Sequence, residues 1–220
     1  MEQTTTTDKR RRDPEKTKKR ILSAARSEFG KYGFDGARVD RIATSAKVSK
    51  NLLYHYYGSK DRLFTTVLEG SYFDIRAREF ELDLDSLPAD LAVMKLVEAS
   101  WGFYLKNPDF IWLLTSENRL KARHVRKSPQ AAEVNRRHAL LMKKLLERGE
   151  REGSIRPGID PVQLNISIAA LGFFYLLNRH TLSTAYDRDL SNNQALTERL
   201  AVIKETIMCW ITPKPPSTDT

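Results

Sequence analysis

The sequence predicts an all-α protein, with a small N-terminal helical unit followed by a larger helical body. Three observations lead there. Apolar residues recur at steps of three and four along most of the chain, and no stretch alternates with the period of two that a half-buried strand needs. Asp, Asn or Ser stands before Pro at four points where such stretches begin, which is how helices are started. The charge is also lopsided: residues 1–60 carry 15 Lys+Arg against 7 Asp+Glu, while the other 160 carry 22 against 21. The formal charge of +9 is therefore an N-terminal property, and the natural partner for such an end is a polyanion.

Residues 1–12, MEQTTTTDKRRR, are polar and basic and are expected to be disordered until they meet a partner. Asp13-Pro14 then starts a helix whose apolar face is Ile21, Leu22, Ala25 and Phe29, and Gly33 suits a left-handed end. Val39, Ile42, Ala43 and Ala46 mark a second helix. A third begins at Ser49, and a fourth begins near Ser59, with Leu63, Phe64, Val67 and Leu68 as its stripe. Further on, Pro88 opens a helix to Lys106, Asn107-Pro108 breaks it, and the next runs through Trp112 to about Lys121. Ser128-Pro129 starts one that ends near Gly153, and Asp160-Pro161 opens an apolar helix. The last runs from about Asn193 to Ile211, before a Pro-rich tail that cannot continue it. The expected units are a basic arm (1–12), a small helical domain (13–60), a larger helical domain (61–212) and a tail (213–220).

Several functions are disfavoured. Cys209 is the single cysteine, which excludes intrachain disulfides and Cys-based zinc fingers. The four histidines are scattered without metal-ligand spacing, and no phosphate loop or nucleophile motif is present, so neither a catalytic residue, a metal nor a cofactor is expected. No secretory signal follows Met1, and the longest apolar run, Ile166 to Leu177, is too short to span a bilayer, so a cytoplasmic protein with no membrane partner is expected.

Val39 to Tyr57 has the layout of a helix-turn-helix. Ile42, Ala43, Ala46 and Val48 bury the first helix and turn, and Leu53 and Tyr56 bury the second. Such a unit lays its second helix in the DNA major groove. That explains the two-sided stretch VSKNLLYHYYGSKDRLF, with a greasy side for packing and a polar side for phosphates and bases.

Residues 15–68, through ILSAARSEFGKYGFDGARVDRIA and AKVSKNLLYHYYGSKDRLF, resemble the DNA-binding domain of the TetR family of transcriptional regulators. The basic arm, GFDGAR and LLY are similar to the branch that contains a pyrimidine-sensing regulator. The resemblance implies a ligand-responsive dimeric repressor on double-stranded, palindromic operator DNA, released by a small-molecule effector that the sequence does not identify. An architectural DNA-binding protein without an effector, or an activator, is the alternative. Mapped residue by residue, the family pattern points Ser49, Lys50, Asn51, Leu52 and His55 at base edges, and Arg38, Tyr54 and Lys60 at phosphates. Arg10 to Arg12 would enter the adjacent minor groove. Two positions depart from the pattern: Ala37 replaces a Thr that caps the second helix, and Lys47 replaces a Gly in the turn.

In the body, Leu196, Leu200, Ile203, Ile207 and Trp210 step by 4, 3, 4 and 3, the spacing of packed helix pairs. The 166–177 stretch is apolar all round and needs cover on both faces. Together with Leu171 and Tyr175, these residues are the expected homodimer interface, and Cys209 reads as a buried small hydrophobe beside them. Regulators of the resembled family usually enclose a pocket among such helices. Trp101, Tyr104, Trp112, Asn118, Phe174 and Asn178 are its candidate lining.

Overall fold

A computed structural model describes residues 13–213, so the basic arm with Arg10 to Arg12 and the tail from residue 214 lie outside the described residues. Among those described there is no strand. The helices are α1 (Pro14–Gly36), α2 (Val39–Ser45), α3 (Lys50–Tyr57), α4 (Lys60–Phe80), α5 (Ala89–Lys106), α6 (Pro108–Arg119), α7 (Pro129–Glu152), α8 (Pro161–Ala185) and α9 (Asn193–Ile211). Their starts follow from side-chain caps. Asp13, Ser49, Ser59, Ser128, Asp160 and Asn192 each accept a backbone N–H from the first turn of the helix that follows.

Two apolar cores result. One holds Ile21, Ala25 and Phe29 of α1 against Ile42, Leu53, Leu63 and Phe64, and it also contains Leu113 of α6. The other fills the body between α5, α7, α8 and α9. Leu113 therefore carries α6 into the core beneath the helix-turn-helix. Around it the seam between α1 and α6 is close and polar. Arg26 pairs with Asp109 and, at 2.8 Å, with Asp74. Gly33 breaks α1 with a left-handed φ of 67°, and the freed Phe34 N–H donates to Ser116 Oγ at 2.9 Å. Position 33 favours glycine because a side chain at positive φ is strained.

The end of α6 departs from expectation. The helix stops at Arg119, left-handed Lys121 and Ala122 follow (φ 56° and 57°), and a 3-10 turn occupies Val125–Lys127. The cause is Glu117. Its buried carboxylate accepts the His124 N–H at 2.6 Å and the Val125 N–H at 2.9 Å, and it lies 2.7 Å from His124 Nδ1. The chain must fold back over the helix end to satisfy it. The His124 ring then sits 4.9 Å from both Phe34 and Phe64.

α8 and α9 correct three readings, those of the α9 row, Tyr175 and Cys209. α8 buries one face within its own chain and exposes Val162, Ile166 and Phe174 on the other, at half or more of their surface and four residues apart or a multiple of it. Only 28% of its most apolar 18-residue window is buried, at a mean hydropathy of 1.3. On α9, Ile203 and Ile207 are 2% and 1% exposed within the single chain, so the 4-3-4-3 stripe packs largely into its own body. Leu196, Leu200 and Trp210 flank that core and are partly buried, as is Leu171. Tyr175 is also internal, its hydroxyl donating to the Leu190 carbonyl at 2.9 Å. The outward face of α9 instead carries Val202 and Cys209, so the cysteine is exposed rather than buried.

A Cβ added at Gly30 would lie 2.9 Å from Asp109 Cβ, so α1 and α6 would have to separate. We expect Gly30→Ala to destabilise the protein by about 1–3 kcal/mol, despite alanine's better helix propensity. Denaturant midpoints check this, and an unchanged or raised midpoint would mean that the seam is not close-packed.

Candidate nucleic-acid interface

The helix-turn-helix is built on a small buried wedge. Ile42, Ala43 and Ala46 seat α2, while Leu53 and Tyr57 seat α3. Tyr57 is the buried tyrosine, in place of the expected Tyr56; both positions share a helix face with Leu53, and packing against the core selects Tyr57. Its hydroxyl donates to the Lys18 carbonyl at 3.4 Å, and burial raises its pKa. Tyr54 and Tyr56 are both half-buried at the rim of this core.

The start of α2 solves the missing cap from another helix. Ala37 is buried and closes α1, and Arg38 occupies the cap position with no side-chain cap bond. Glu28 of α1 accepts the Arg38 N–H at 2.8 Å and pairs with Arg41 at 2.6 Å. Burial would raise the Glu28 pKa, but the Arg41 hydrogen bond and the Arg38 amide outweigh it and hold the carboxylate ionised. The turn itself is left-handed at Lys47, φ 54°, where glycine would be relaxed.

The α3 N-terminus presents a polar, exposed surface. Ser49 caps the helix by accepting the Leu52 N–H at 3.1 Å, and Lys50, Asn51 and His55 are exposed, with Leu52 half-buried. Lys50 reaches back to Asp40 of α2 at 2.9 Å, which raises the lysine pKa and lowers that of the aspartate. Arg38 is exposed. Lys60 rests over the Phe34 ring, 4.8 Å from its centre, and donates to the Asp35 carbonyl at 3.4 Å. Seven of the eight mapped residues thus stand on or beside α2 and α3, and Lys60 begins α4. Asp40 and Glu28 were not legible, since nothing in the sequence ties a carboxylate to a neighbouring helix.

In the body, the six candidate pocket residues are not gathered round one enclosed space. Trp101 and Tyr104 are core, whereas Trp112 and Phe174 are 48% and 59% exposed and Asn118 is on the surface. Asn178 bonds its own helix through the Phe174 carbonyl. A different polar group lies buried there. Glu79 of α4 accepts both of its short bonds from Arg76, at 2.8 Å, and lies 2.9 Å from His138 Nδ1 of α7. His138 Nε2 meets Asn165 of α8 at 2.8 Å, and Ser100 of α5 donates to Glu79 at 3.4 Å. Arg76 Nε is buried without a partner. Tyr104 lies close enough to feel these charges, and its burial pushes its pKa up to about 12.

Burial would raise the Glu79 pKa, but His138 and Arg76 outweigh it, so the carboxyl titrates below its ordinary range. Such a group adds stability above its unfolded pKa of about 4.3 and loses it as the pH falls from there through the lower folded value. Glu79→Gln leaves the Arg76 charge buried and is expected to cost about 3–5 kcal/mol at neutral pH. The difference from wild type should shrink below about pH 4.3. Equal differences in acid and neutral denaturation series would refute this.

The comparisons with known proteins agree with this geometry. Residues 21–67 match the family described as bacterial regulatory proteins, tetR family, and residues 90–207 match the tetracyclin repressor-like C-terminal domain. The HTH-type transcriptional repressor NicS of Pseudomonas putida is 34% identical over 203 residues, 92% of this chain and 96% of its own. The HTH-type transcriptional regulator RutR of Escherichia coli is 48% identical over 63 residues, only 29% of this chain and 30% of its own. The crystal structure of the transcriptional regulator SCO4942 from Streptomyces coelicolor superposes with a TM-score of 0.68 at 28% identity, covering 90% of this chain and 99% of that one. With a helix-turn-helix whose polar face is open and a helical body matching over more than half of the chain, this protein belongs to the TetR family of DNA-binding transcriptional regulators.

Proposed function

We propose that the protein is a homodimeric repressor that holds a palindromic operator through α3 and releases it when a small molecule enters the body. The observation that carries this is the two-sidedness of α3, sealed below by Leu53 and Tyr57 and open above at Lys50, Asn51 and His55. NicS, matched over 96% of its length, is named a repressor, and a role on operator DNA supports a cytoplasmic location. Lys50 must exchange Asp40 for a base edge, and Arg38, Tyr54 and Lys60 hold phosphates. The dimer forms through the outward rows of α8 and α9, where Ile166, Phe174 and Val202 remain uncovered and an apolar groove of about 320 Å³ runs between the two helices. A two-fold dimer gives α3 two copies, matching a palindrome. The effector site is the region of Tyr104, Ser100, His138 and Asn165, where an apolar wall meets buried polar groups. Trp101 contributes to that wall.

Titrations against single-base operator variants at several salt concentrations test the DNA assignments. Lys50→Ala should lose ~1–3 kcal/mol on the cognate operator and relax the preference at one base pair per half-site. Tyr54→Phe removes a neutral hydroxyl and should weaken all duplexes alike with the salt slope nearly unchanged. Altered base preference in the tyrosine variant but not in the lysine variant would rotate the assigned reading face.

The interface assignment has its own test. Ile166→Glu with Phe174→Glu should yield a folded monomer by sedimentation, because each places a charge in the contact. A persistent dimer would move the interface elsewhere.

A further inference from the structure

A groove of about 580 Å³ lies between the first half of α1 and the α2–α3 turn, and none of the eight residues assigned to operator contact lines it. Lys16, Lys19 and Arg20 line it from α1, and Lys47 lines it from the turn. All four are exposed, and among the described residues none of them forms an ion pair. Ser23 and Ser27 of α1 and Ser45 of α2 add exposed hydroxyls to the same wall. The positions 16, 20, 23 and 27 step by 4, 3 and 4, so this is one continuous stripe of α1, opposite in character to the buried Ile21, Ala25 and Phe29. Its span is about 16 Å at 1.5 Å per residue.

Lys47 supplies a second, independent observation. Its backbone is left-handed, a conformation that strains every residue with a Cβ other than the occasional Asn or Asp. The turn is held by backbone bonds alone, Lys47 N–H to the Thr44 carbonyl and Val48 N–H to the Ala43 carbonyl, each at 3.0 Å. Among the described residues the exposed Lys47 side chain forms no hydrogen bond or ion pair that would offset the strain, and it lines the groove with three other cationic residues. Strain retained without a structural return points to function.

We propose that this groove is a second contact surface for the DNA backbone, in which the four cations neutralise phosphates and the serine hydroxyls donate to phosphate oxygens. The proposal rests on the DNA-binding reading above and extends it. Duplex DNA is the occupant because Lys47 stands two residues before Ser49, the cap of α3, so the groove continues the face that meets the operator. A duplex also presents a charge every ~1.7 Å along its axis, matching a stripe of cations that carries no acidic partner. The surface adds affinity and orientation, without base selectivity.

The test uses the full chain and an operator selected from random duplexes. Lys47→Gly should fold as wild type and melt at a higher temperature, because the strain is gone, yet bind DNA more weakly. Its slope of log affinity against log salt should fall by about 0.9, the value of one phosphate contact. Replacing Lys16, Lys19 and Arg20 together with Gln should lower the slope by up to about three such steps. In both variants the ranking of single-base operator variants should stay as in wild type. Wild-type slopes in both variants, or a changed base ranking in either, would overturn the groove as a backbone contact. A wild type that binds no duplex would overturn the operator reading itself, and with it this extension.

Discussion

Leu113 has no exposed surface, and it stands in two places at once: on α6, a helix of the regulatory body, and in the core that carries the helix-turn-helix. Most of the architecture follows from keeping it there. Gly30 lets α1 lie against Asp109, Gly33 breaks α1 so that Phe34 can turn inward, and Ser116 takes the amide that the break releases. Just beyond, Glu117 gathers His124 and Val125, and the His124 ring closes over Phe34 and Phe64. An apolar anchor flanked by buried, satisfied polar groups has few alternative arrangements, because leaving any of them unpaired is costly. The reading head is thereby fixed to the body instead of swinging from a linker.

A second tie between body and head runs through α4. α4 contributes Leu63 and Phe64 to the upper core and Glu79 to the buried group with Arg76 and His138. A ligand that rearranged the lower group would act on the helix whose first turn begins at Lys60, next to α3. Such an action needs only a difference in ligand affinity between two arrangements of α4 and α6. Asp61 at the start of α4 faces Arg123 and His124, so α4 and the turn after α6 meet at the head.

Much of the fold was legible. Capping residues and apolar periodicity fixed the starts of most helices and both ends of α9, and quoted motifs gave the helix-turn-helix and its family. The failures share a cause, in that periodicity reveals a stripe but not what covers it. The 4-3-4-3 row of α9 packs largely into its own body, with Ile203 and Ile207 fully enclosed, and the outward row carries Val202 and Cys209 instead. Leu53 could have been paired with Tyr56 or Tyr57 on spacing, and only the packing chose Tyr57. Buried charge was invisible for a different reason. Arg76, Glu79 and His138 stand on amphipathic helices where a solvated face is the ordinary reading, and Glu117 bends the chain after α6 through contacts that exist only once the chain is folded.

By its packing, α6 with the turn after it belongs to the reading head. Amide hydrogen exchange, measured on the free protein and on its operator complex, tests it most directly. Residues 117–127 contain none of the eight residues assigned to operator contact, yet the seam ties them to α1 and α4. Operator binding should therefore slow exchange there as well as in α1 to α3. Slowing confined to the helix-turn-helix, with residues 117–127 exchanging as in the free protein, would contradict the account.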